Sequence, residues 1–212
     1  MDNDWRASQD GEYRDDPKNM PGLIEHYYKM PVGDNDFQQA YTAAAQCVQT
    51  LYQHPLFSQA LLDPVCEIVS VEKMDKIFVE GVSVWVVCDL VMRWQGKVHI
   101  IDWKTGKSSE NGAQNIQLAT YALYTLAKGL CSRPDEIVVQ LVNLNQNETV
   151  TTDVTQETIN MAEKYILESA NKMVSLLSDE EINVARKEDF PLTDNQNLCR
   201  WCNFRKACGR LE

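Results

Sequence analysis

Residues 84–107 read VWVVCDLVMRWQGKVHIIDWKTGK, and this stretch decides the fold. Its two apolar runs, 84–91 and 97–104, are rich in β-branched residues and too apolar for a solvated helix, so each predicts a strand. The Gln95-Gly96 pair between the runs is typical of a tight turn. The sequence therefore predicts a β-hairpin at the centre of the chain.

Three charged residues mark the ends of this hairpin. Asp89 lies near the end of the first strand, and Asp102 and Lys104 lie at the end of the second. Side chains at i and i+2 share one face of a strand, so Asp102 and Lys104 are predicted to point to the same side. With Asp89 beside them, they form a carboxylate pair with an ammonium group at its edge. Such a group can hold a divalent cation and orient water for attack on a phosphodiester.

A helix and an interior strand follow the hairpin. Residues 115–128 have the periodicity of a helix, and Gln117 and Tyr121, four residues apart, lie on one face of it. Residues 136–143 (EIVVQLVN) predict a strand that needs cover on both faces. The helix would then cross to this strand, by a right-handed connection if the strands are parallel. The pattern predicts a mixed sheet with helices on both sides.

In this order, these residues resemble the motifs of the PD-(D/E)XK nuclease superfamily, and the QxxxY pair resembles its RecB-like branch. The resemblance implies an α/β, restriction-endonuclease-like core: a mixed central sheet flanked by helices. It also implies an activity, the Mg²⁺- or Mn²⁺-dependent hydrolysis of DNA by an exonuclease or repair nuclease. The residues that the resemblance assigns are the metal ligands Asp89, Asp102 and the main-chain carbonyl of Trp103, the water-positioning Lys104, and Gln117 and Tyr121, which would fix the DNA strand or the lysine end.

Plainer interpretations of the same residues stand beside this one. Acids and lysines often share a strand end, and Gln117 and Tyr121 would also suit a helix surface. Gly22 and His26 have the GxxxH form of the family's upstream histidine motif, but no cysteine precedes them, whereas the family has one there. His26 is therefore expected to be structural.

The cysteines fall into two groups. Four are scattered among apolar residues and are expected to be small core residues: Cys47, Cys66, Cys88 and Cys131. The other three, Cys199, Cys202 and Cys208, have the close spacing of a site for a soft metal or a cluster. The same spacing resembles the C-terminal cluster of iron–sulfur RecB-type nucleases, including AddB-like and CRISPR-associated relatives, where a fourth cysteine comes from far upstream. The resemblance implies a [4Fe–4S] cluster if a fourth ligand is supplied, and zinc otherwise.

The remaining segments divide the chain into three predicted regions. These are an N-terminal arm and helical region at 1–64, the nuclease core at 65–180 and the cysteine-cluster tail at 181–212. Further elements are predicted at 23–30 (a short helix), 34–54 (a helix with Asp36 as N-cap), 65–72, 78–79 and 149–154 (strands), and 155–177 (a helix capped by Thr155). Residues 1–21 are predicted to be an arm or loop, and 108–112 a polar loop. Glu67 and Glu72 could approach the metal site.

Composition bounds the function less sharply. The 212 residues carry a net charge of −11, which disfavours general coating of DNA, although residues 184–212 hold six basic and four acidic residues. No apolar run is long enough to cross a bilayer and no signal-peptide core is present, so a cytoplasmic location without membrane contact is expected.

Two functions of different classes remain open. The first is the DNA nuclease, with a helicase, another repair or defence subunit, or a missing N-terminal segment as its partner. The second is a non-catalytic DNA-binding or assembly module, or an inactive fragment of a longer nuclease. The apparent absence of the family's N-terminal segment favours the second, whereas retention of all five motif side chains favours the first.

Overall fold

The structure, a computed structural model, describes residues 2–106 and 112–209, with the side chains of 112–114 left aside. The chain forms two compact units, one of Met1–Ala43 with Arg186–Glu212 and one of Ala44–Ala185. The division into regions at 1–64, 65–180 and 181–212 stays a prediction. The predicted polar loop at 108–112 lies almost wholly outside the described residues; Gly112 is described as the first residue of a helix.

The bounds of the elements are as follows. The helices are α1 (Asp2–Asp10), α2 (Ile24–Tyr27), α3 (Asp34–Gln53), α4 (Gly112–Ala127), α5 (Gln156–Val174), α6 (Gln196–Cys199) and α7 (Arg205–Cys208). The strands are β1 (Glu67–Val79), β2 (Val82–Trp94), β3 (Lys97–Lys104), β4 (Ile137–Asn143) and β5 (Glu148–Asp153). Leu56–Ala60 forms a π-helical turn.

The five strands form one mixed sheet in the order β1-β2-β3-β4-β5. All neighbours are antiparallel except β3 and β4, which are parallel and are connected through α4. Parallel neighbours need a long crossover, and the helix supplies it. The predicted α/β class and mixed sheet are confirmed.

Apolar side chains cover the sheet on both faces. One core packs β2–β4 residues such as Val91, Ile100 and Val139 against α4 and α5. The other packs Met92 and Ile101 against the C-terminal part of α3 and the π-helical turn. Strands buried on both faces read as continuous apolar runs, and residues 90–92 of β2 and 98–101 of β3 are buried in this way, whereas 84–88 are buried on one face only, with Trp85 exposed, so the predicted cover on both faces of 84–91 is wrong for that part.

Two tight turns shape the first three strands. Gln95 and Gly96, between β2 and β3, have φ values of 51° and 75°. Glu80 and Gly81, between β1 and β2, have φ values of 46° and 88°. Two consecutive residues with positive φ match the right-handed twist of a hairpin, so both connections are two-residue turns. The predicted hairpin at Gln95-Gly96 is confirmed.

Several sequence-based boundaries were wrong. Strands 65–72 and 78–79 are one strand, β1, because the intervening polar residues continue the ladder with β2. Residues 2–10 are a helix rather than a loop. Asp36 lies inside α3 and accepts a hydrogen bond from Gly33 N at 2.9 Å, so it caps from the third helical position. Thr155 does cap α5, since Thr158 N donates to its hydroxyl at 3.2 Å.

Among the described residues, no helix is long and apolar enough to cross a membrane.

Candidate active site

The carboxylates at the end of the central hairpin come from adjacent strands. The pairing of β2 with β3 runs from Trp94 opposite Lys97 to Leu90 opposite Ile101. Asp89 and Asp102 are the next residues on the two strands. β3 continues beyond this point beside β4 as far as Lys104. The site therefore forms where β2 leaves its neighbour.

A break in the side-chain alternation of β2 frees Asp89 from the ladder. Cys88 packs in the core on the α4 side, and Leu90 packs in the core on the opposite face, although residues two apart should share a face. Val91 is again on the α4 side. Across from the break, Glu72 has a left-handed φ of 47°. Irregularities of this kind redirect side chains next to functional sites.

The Asp89 carboxylate takes the place of a main-chain acceptor for β3. Trp103 N donates to Asp89 Oδ2 at 2.7 Å. This amide lies beyond the last β2–β3 pair, so it has no main-chain acceptor on β2, and the carboxylate supplies one. The contact ties Asp89 to the middle residue of the Asp102-Trp103-Lys104 motif.

Asp102 is the hub of the site. Its side chain is buried, and its Oδ2 lies 2.6 Å from Lys104 Nζ, which confirms that the two residues share a face. Its Oδ1 accepts hydrogen bonds from Gln117 Nε2 at 3.3 Å and from Tyr121 Oη at 3.4 Å. Gln117 Nε2 also donates to Tyr121 Oη at 2.8 Å. The QxxxY pair of α4 thus holds one oxygen of Asp102, and Lys104 holds the other.

The electrostatics of the site oppose ionisation of Asp89. Burial raises the pKa of its carboxyl, and the charges on Asp102 and Glu72 raise it further. The Trp103 amide and the Lys104 ammonium act in the opposite direction. Crowded carboxylates with a raised pKa are typical of sites that bind a cation or move protons.

Cys88 and Glu72 lie near the carboxylates, and the sequence predicts this for Glu72 but not for Cys88. Cys88 is buried, and burial raises the pKa of its thiol to about 12, with the charges of Asp89 and Asp102 acting in the same direction. Regular alternation would have placed Cys88 on the face opposite Asp89, so the sequence gives no signal for this proximity. Glu72 does approach Asp89, as the sequence suggested, whereas Glu67 instead pairs with Arg93 at 3.2 Å.

The chemistry of the donors suits a hard divalent cation. Asp102 Oδ2 is buried, and in the described part of the chain its contact is the charge-assisted one with Lys104 Nζ at 2.6 Å. Residues 2–106 and 112–209 contain no group of three or more His, Cys, Asp or Glu side chains arranged to hold a metal. Mg²⁺ commonly takes one or two carboxylates and completes its shell with water and substrate phosphate. Asp89 and Asp102 fit that pattern; the Trp103 carbonyl as a third ligand stays a prediction.

Comparison with known proteins agrees with this geometry. Residues 20–209 match the model of the PD-(D/E)XK nuclease superfamily. The chain belongs to this superfamily. The match includes Asp89, the Asp102-Trp103-Lys104 segment and the helix with Gln117 and Tyr121.

Similar solved structures include two proteins that are distant in sequence. SSO0001 is 18% identical, with a TM-score of 0.42 over 89% of this chain and 80% of that chain. A protein from Eubacterium rectale that is described as an exonuclease is 12% identical, with a TM-score of 0.43 over 93% of this chain and 75% of that chain. No curated protein matches the sequence.

The three C-terminal cysteines are the predicted site of a metal or cluster. Cys199, Cys202 and Cys208 are free thiols, and among the described residues they take part in no group that could hold a metal. Two of the sulfurs contact neighbouring main-chain groups: Phe204 N lies 3.4 Å from Cys202 Sγ, and Cys208 Sγ lies 3.3 Å from the Arg205 carbonyl oxygen. The described residues therefore give no support for the predicted metal or cluster site, which stays a prediction.

His26 has structural contacts within the unit of the terminal segments. Its Nδ1 lies 2.8 Å from Ser8 Oγ, and its ring packs edge-on against Trp5 with centroids 4.9 Å apart. The glycine of the GxxxH pattern also has a packing role, since a Cβ at Gly22 would lie 2.6 Å from Tyr13 Cγ.

Proposed function

We propose that this PD-(D/E)XK protein is a metal-dependent DNA nuclease of the RecB-like branch, acting as an exonuclease. The observation that supports this best is the set of contacts to Asp102, which joins Lys104, Gln117 and Tyr121 at one buried carboxylate. A structural scaffold needs no lysine held at 2.6 Å from a buried acid at the end of the central strand.

Each side chain of the site has a separate proposed role in phosphodiester hydrolysis. Asp89 and Asp102 would hold a Mg²⁺ or Mn²⁺ ion, which would supply Lewis acidity for the attack of water on a phosphodiester. Lys104 positions the attacking water and balances negative charge that develops on the phosphate. Gln117 and Tyr121 fix Asp102 Oδ1, so that the acid keeps its orientation when the ion and the substrate bind. Trp103 N orients Asp89 in the same way.

A DNA degradation assay with matched lysine variants tests the proposal. Labelled single- and double-stranded DNA would be incubated with the protein in Mn²⁺, Mg²⁺ or EDTA. Lys104→Met should abolish degradation in either metal, and Lys97→Met, at the exposed start of the same strand, should degrade DNA as the wild type does. Equal activity of wild type and Lys104→Met would refute the assigned chemistry. Metal-independent DNA binding without degradation by the wild type would identify the non-catalytic module instead.

The iron–sulfur or zinc site at the C-terminal cysteines is a separate part of the proposal. It would require the tail to rearrange and a fourth ligand from elsewhere, because thiolates coordinate such metals four at a time. Anaerobic purification followed by iron, sulfide and zinc analysis decides it. If the protein is free of metal and Cys199→Ser changes neither its stability nor its DNA binding, these three cysteines have no metal-binding role. A helicase or another repair or defence subunit stays the proposed partner class.

A further inference from the structure

The β1–β2 hairpin extends beyond the active site as a two-stranded ribbon, residues 73–88. β2 pairs with β3 only from Leu90 onward, whereas its pairing with β1 continues to Val82 opposite Val79. The ribbon therefore begins at Asp89 and projects away from the rest of the sheet.

The two faces of the ribbon have different environments. On the inner face, Ile77, Val79 and Val86 are buried in the core with α4 and α5. Asp75, also on this face, pairs with Lys128 Nζ at 2.8 Å. The inner face thus holds the ribbon on the helices and leaves the outer face to solvent.

The outer face is aromatic and apolar. Directly paired residues of antiparallel strands share a face, so the outer face consists of the pairs Met74–Val87, Lys76–Trp85 and Phe78–Ser83. Met74 is 66% exposed, Phe78 63% and Trp85 64%. Exposed large side chains that adjoin one another mark interaction sites.

The only formal charge among these six side chains is positive. Lys76 Nζ lies 5.3 Å from the centroid of the Phe78 ring and 5.5 Å from that of Trp85. Exposed glutamates, Glu72 and Glu80, lie beyond the two ends of this row, so Lys76 is the positive charge at its centre. A cation between two exposed rings suits a ligand with aromatic groups and phosphates.

We infer that the outer face of the ribbon binds single-stranded DNA, with bases stacked on Trp85 and Phe78 and a phosphate at Lys76. This inference rests on the proposed DNA nuclease function and names the strand form that reaches its site. Aromatic side chains stack on unpaired bases without regard to sequence. A duplex offers no free base faces, so the ribbon selects single strands or separated ends.

The ribbon continues β2 beyond the carboxylates; its outer face is turned away from α4, whereas Asp102 lies on the α4 side of the sheet. Trp85 is four residues from Asp89 along β2, which is roughly 13 Å at the rise of a strand. Stacked nucleotides rise by about 3.4 Å along one strand. A strand on Trp85 would therefore pass around the ribbon to reach Asp102, and at least about four nucleotides would separate the two positions.

DNA binding can be measured without cleavage. Fluorescence anisotropy in EDTA would compare the full chain and its variants on labelled oligothymidylate, on an abasic strand with the same phosphates, and on duplex. We expect Trp85→Ala to bind oligothymidylate at least about fivefold more weakly, the lower end of the loss for one stacked base. Trp85→Phe, which keeps an aromatic face, should bind within about threefold of the wild type, against the larger loss for a removed ring.

The controls separate stacking from other effects. Trp85→Ala should leave binding to the abasic strand unchanged, and Tyr165→Ala, an exposed aromatic residue on α5, should leave all binding unchanged. DNA should quench the fluorescence of the wild type more than that of Trp85→Phe. Thermal melting checks that each variant is folded.

Three outcomes would overturn the inference. In the first, Trp85→Ala and Phe78→Ala bind oligothymidylate as tightly as the wild type. In the second, these variants lose as much affinity for the abasic strand as for oligothymidylate. In the third, they lose self-association and keep DNA binding. The last outcome would identify the face as a protein interface. Failure of the nuclease proposal is seen separately, because it requires that the wild type fail to degrade DNA in Mn²⁺, whatever the anisotropy shows.

Discussion

Removal of the ammonium group beside Asp102 should destabilise the fold as well as stop catalysis. In Lys104→Met the aliphatic stem remains, but Asp102 Oδ2 loses the Nζ that lies 2.6 Å away. Breaking a fully buried ion pair costs about 3–5 kcal/mol, and an exposed pair contributes about 0.2–1 kcal/mol. The Asp102 side chain is 2% exposed and that of Lys104 is 32% exposed, so the pair lies between these limits. We expect a loss of about 2 kcal/mol, or a fall in Tm of about 4–8 °C.

A divalent cation should reverse this loss if the carboxylates bind one. Binding to the folded state alone adds about 1.4 kcal/mol of stability at ten times the Kd. Without the Lys104 ammonium, less of the negative charge of Asp89 and Asp102 is balanced. Mn²⁺ should therefore raise the Tm of Lys104→Met more than that of the wild type. Degradation of DNA should nevertheless stay absent in the variant, because a bound metal does not replace the lysine at the attacking water.

Thermal melting in EDTA and over a series of Mn²⁺ concentrations measures both effects. Lys97→Met is the control, and its Tm should follow that of the wild type at every concentration. If Lys104→Met melts like the wild type in EDTA, the ion pair contributes nothing and the assigned electrostatics are wrong. If Mn²⁺ shifts no Tm, the carboxylates do not hold the metal.

The remaining predictions concern other contacts. A double-mutant cycle of Gln117→Ala and Tyr121→Phe, followed by chemical denaturation, should give a coupling of about 0.5–1.5 kcal/mol, because the two groups share a 2.8 Å hydrogen bond; additive effects would contradict this. Burial lowers the pKa of His54, so the unfolded state binds its proton first, and stability should fall as the pH drops below about 6.5. Urea titrations at several pH values should show that the free energy of unfolding of His54→Gln falls less than that of the wild type below this pH. An equal fall in the two proteins would contradict this role of His54. Gly22→Ala should lose about 1–3 kcal/mol, because its Cβ would lie 2.6 Å from Tyr13 Cγ; added Tyr13→Leu should recover part of the loss, and a neutral Gly22→Ala would refute the close packing.

The central hairpin and the hub of the site were predictable because their determinants are local. Two apolar β-branched runs around Gln95-Gly96 leave few alternatives to a hairpin, and the structure has it. The period of two along a strand places Asp102 beside Lys104. Periodicity predicts that the QxxxY pair lies on a helix, but its bonds to Asp102 were not predicted, because the resemblance assigns the pair to the DNA strand or the lysine end.

The ends of the chain were less predictable because their structure depends on packing partners. Residues 2–10 are mostly polar and form a helix of 9 residues, which is too short and too polar to be predicted without its packing partners. The cysteine spacing in the tail permits a metal site, but spacing does not fix where the sulfurs point. In the structure, the sulfurs of Cys202 and Cys208 contact neighbouring main-chain groups.

The least predictable feature is the one on which the site depends most. A strand with regular alternation would place Cys88 and Leu90 on one face and Asp89 on the other. The structure instead separates Cys88 from Leu90 and leaves Asp89 between them, free to reach Trp103 N. No residue in the run VVCDLV signals such a break, because the left-handed φ that accompanies it belongs to Glu72 on the neighbouring strand. Pairing between β2 and β3 ends at the same point, so a single irregularity both exposes the carboxylate and starts the ribbon that we propose to carry the DNA strand.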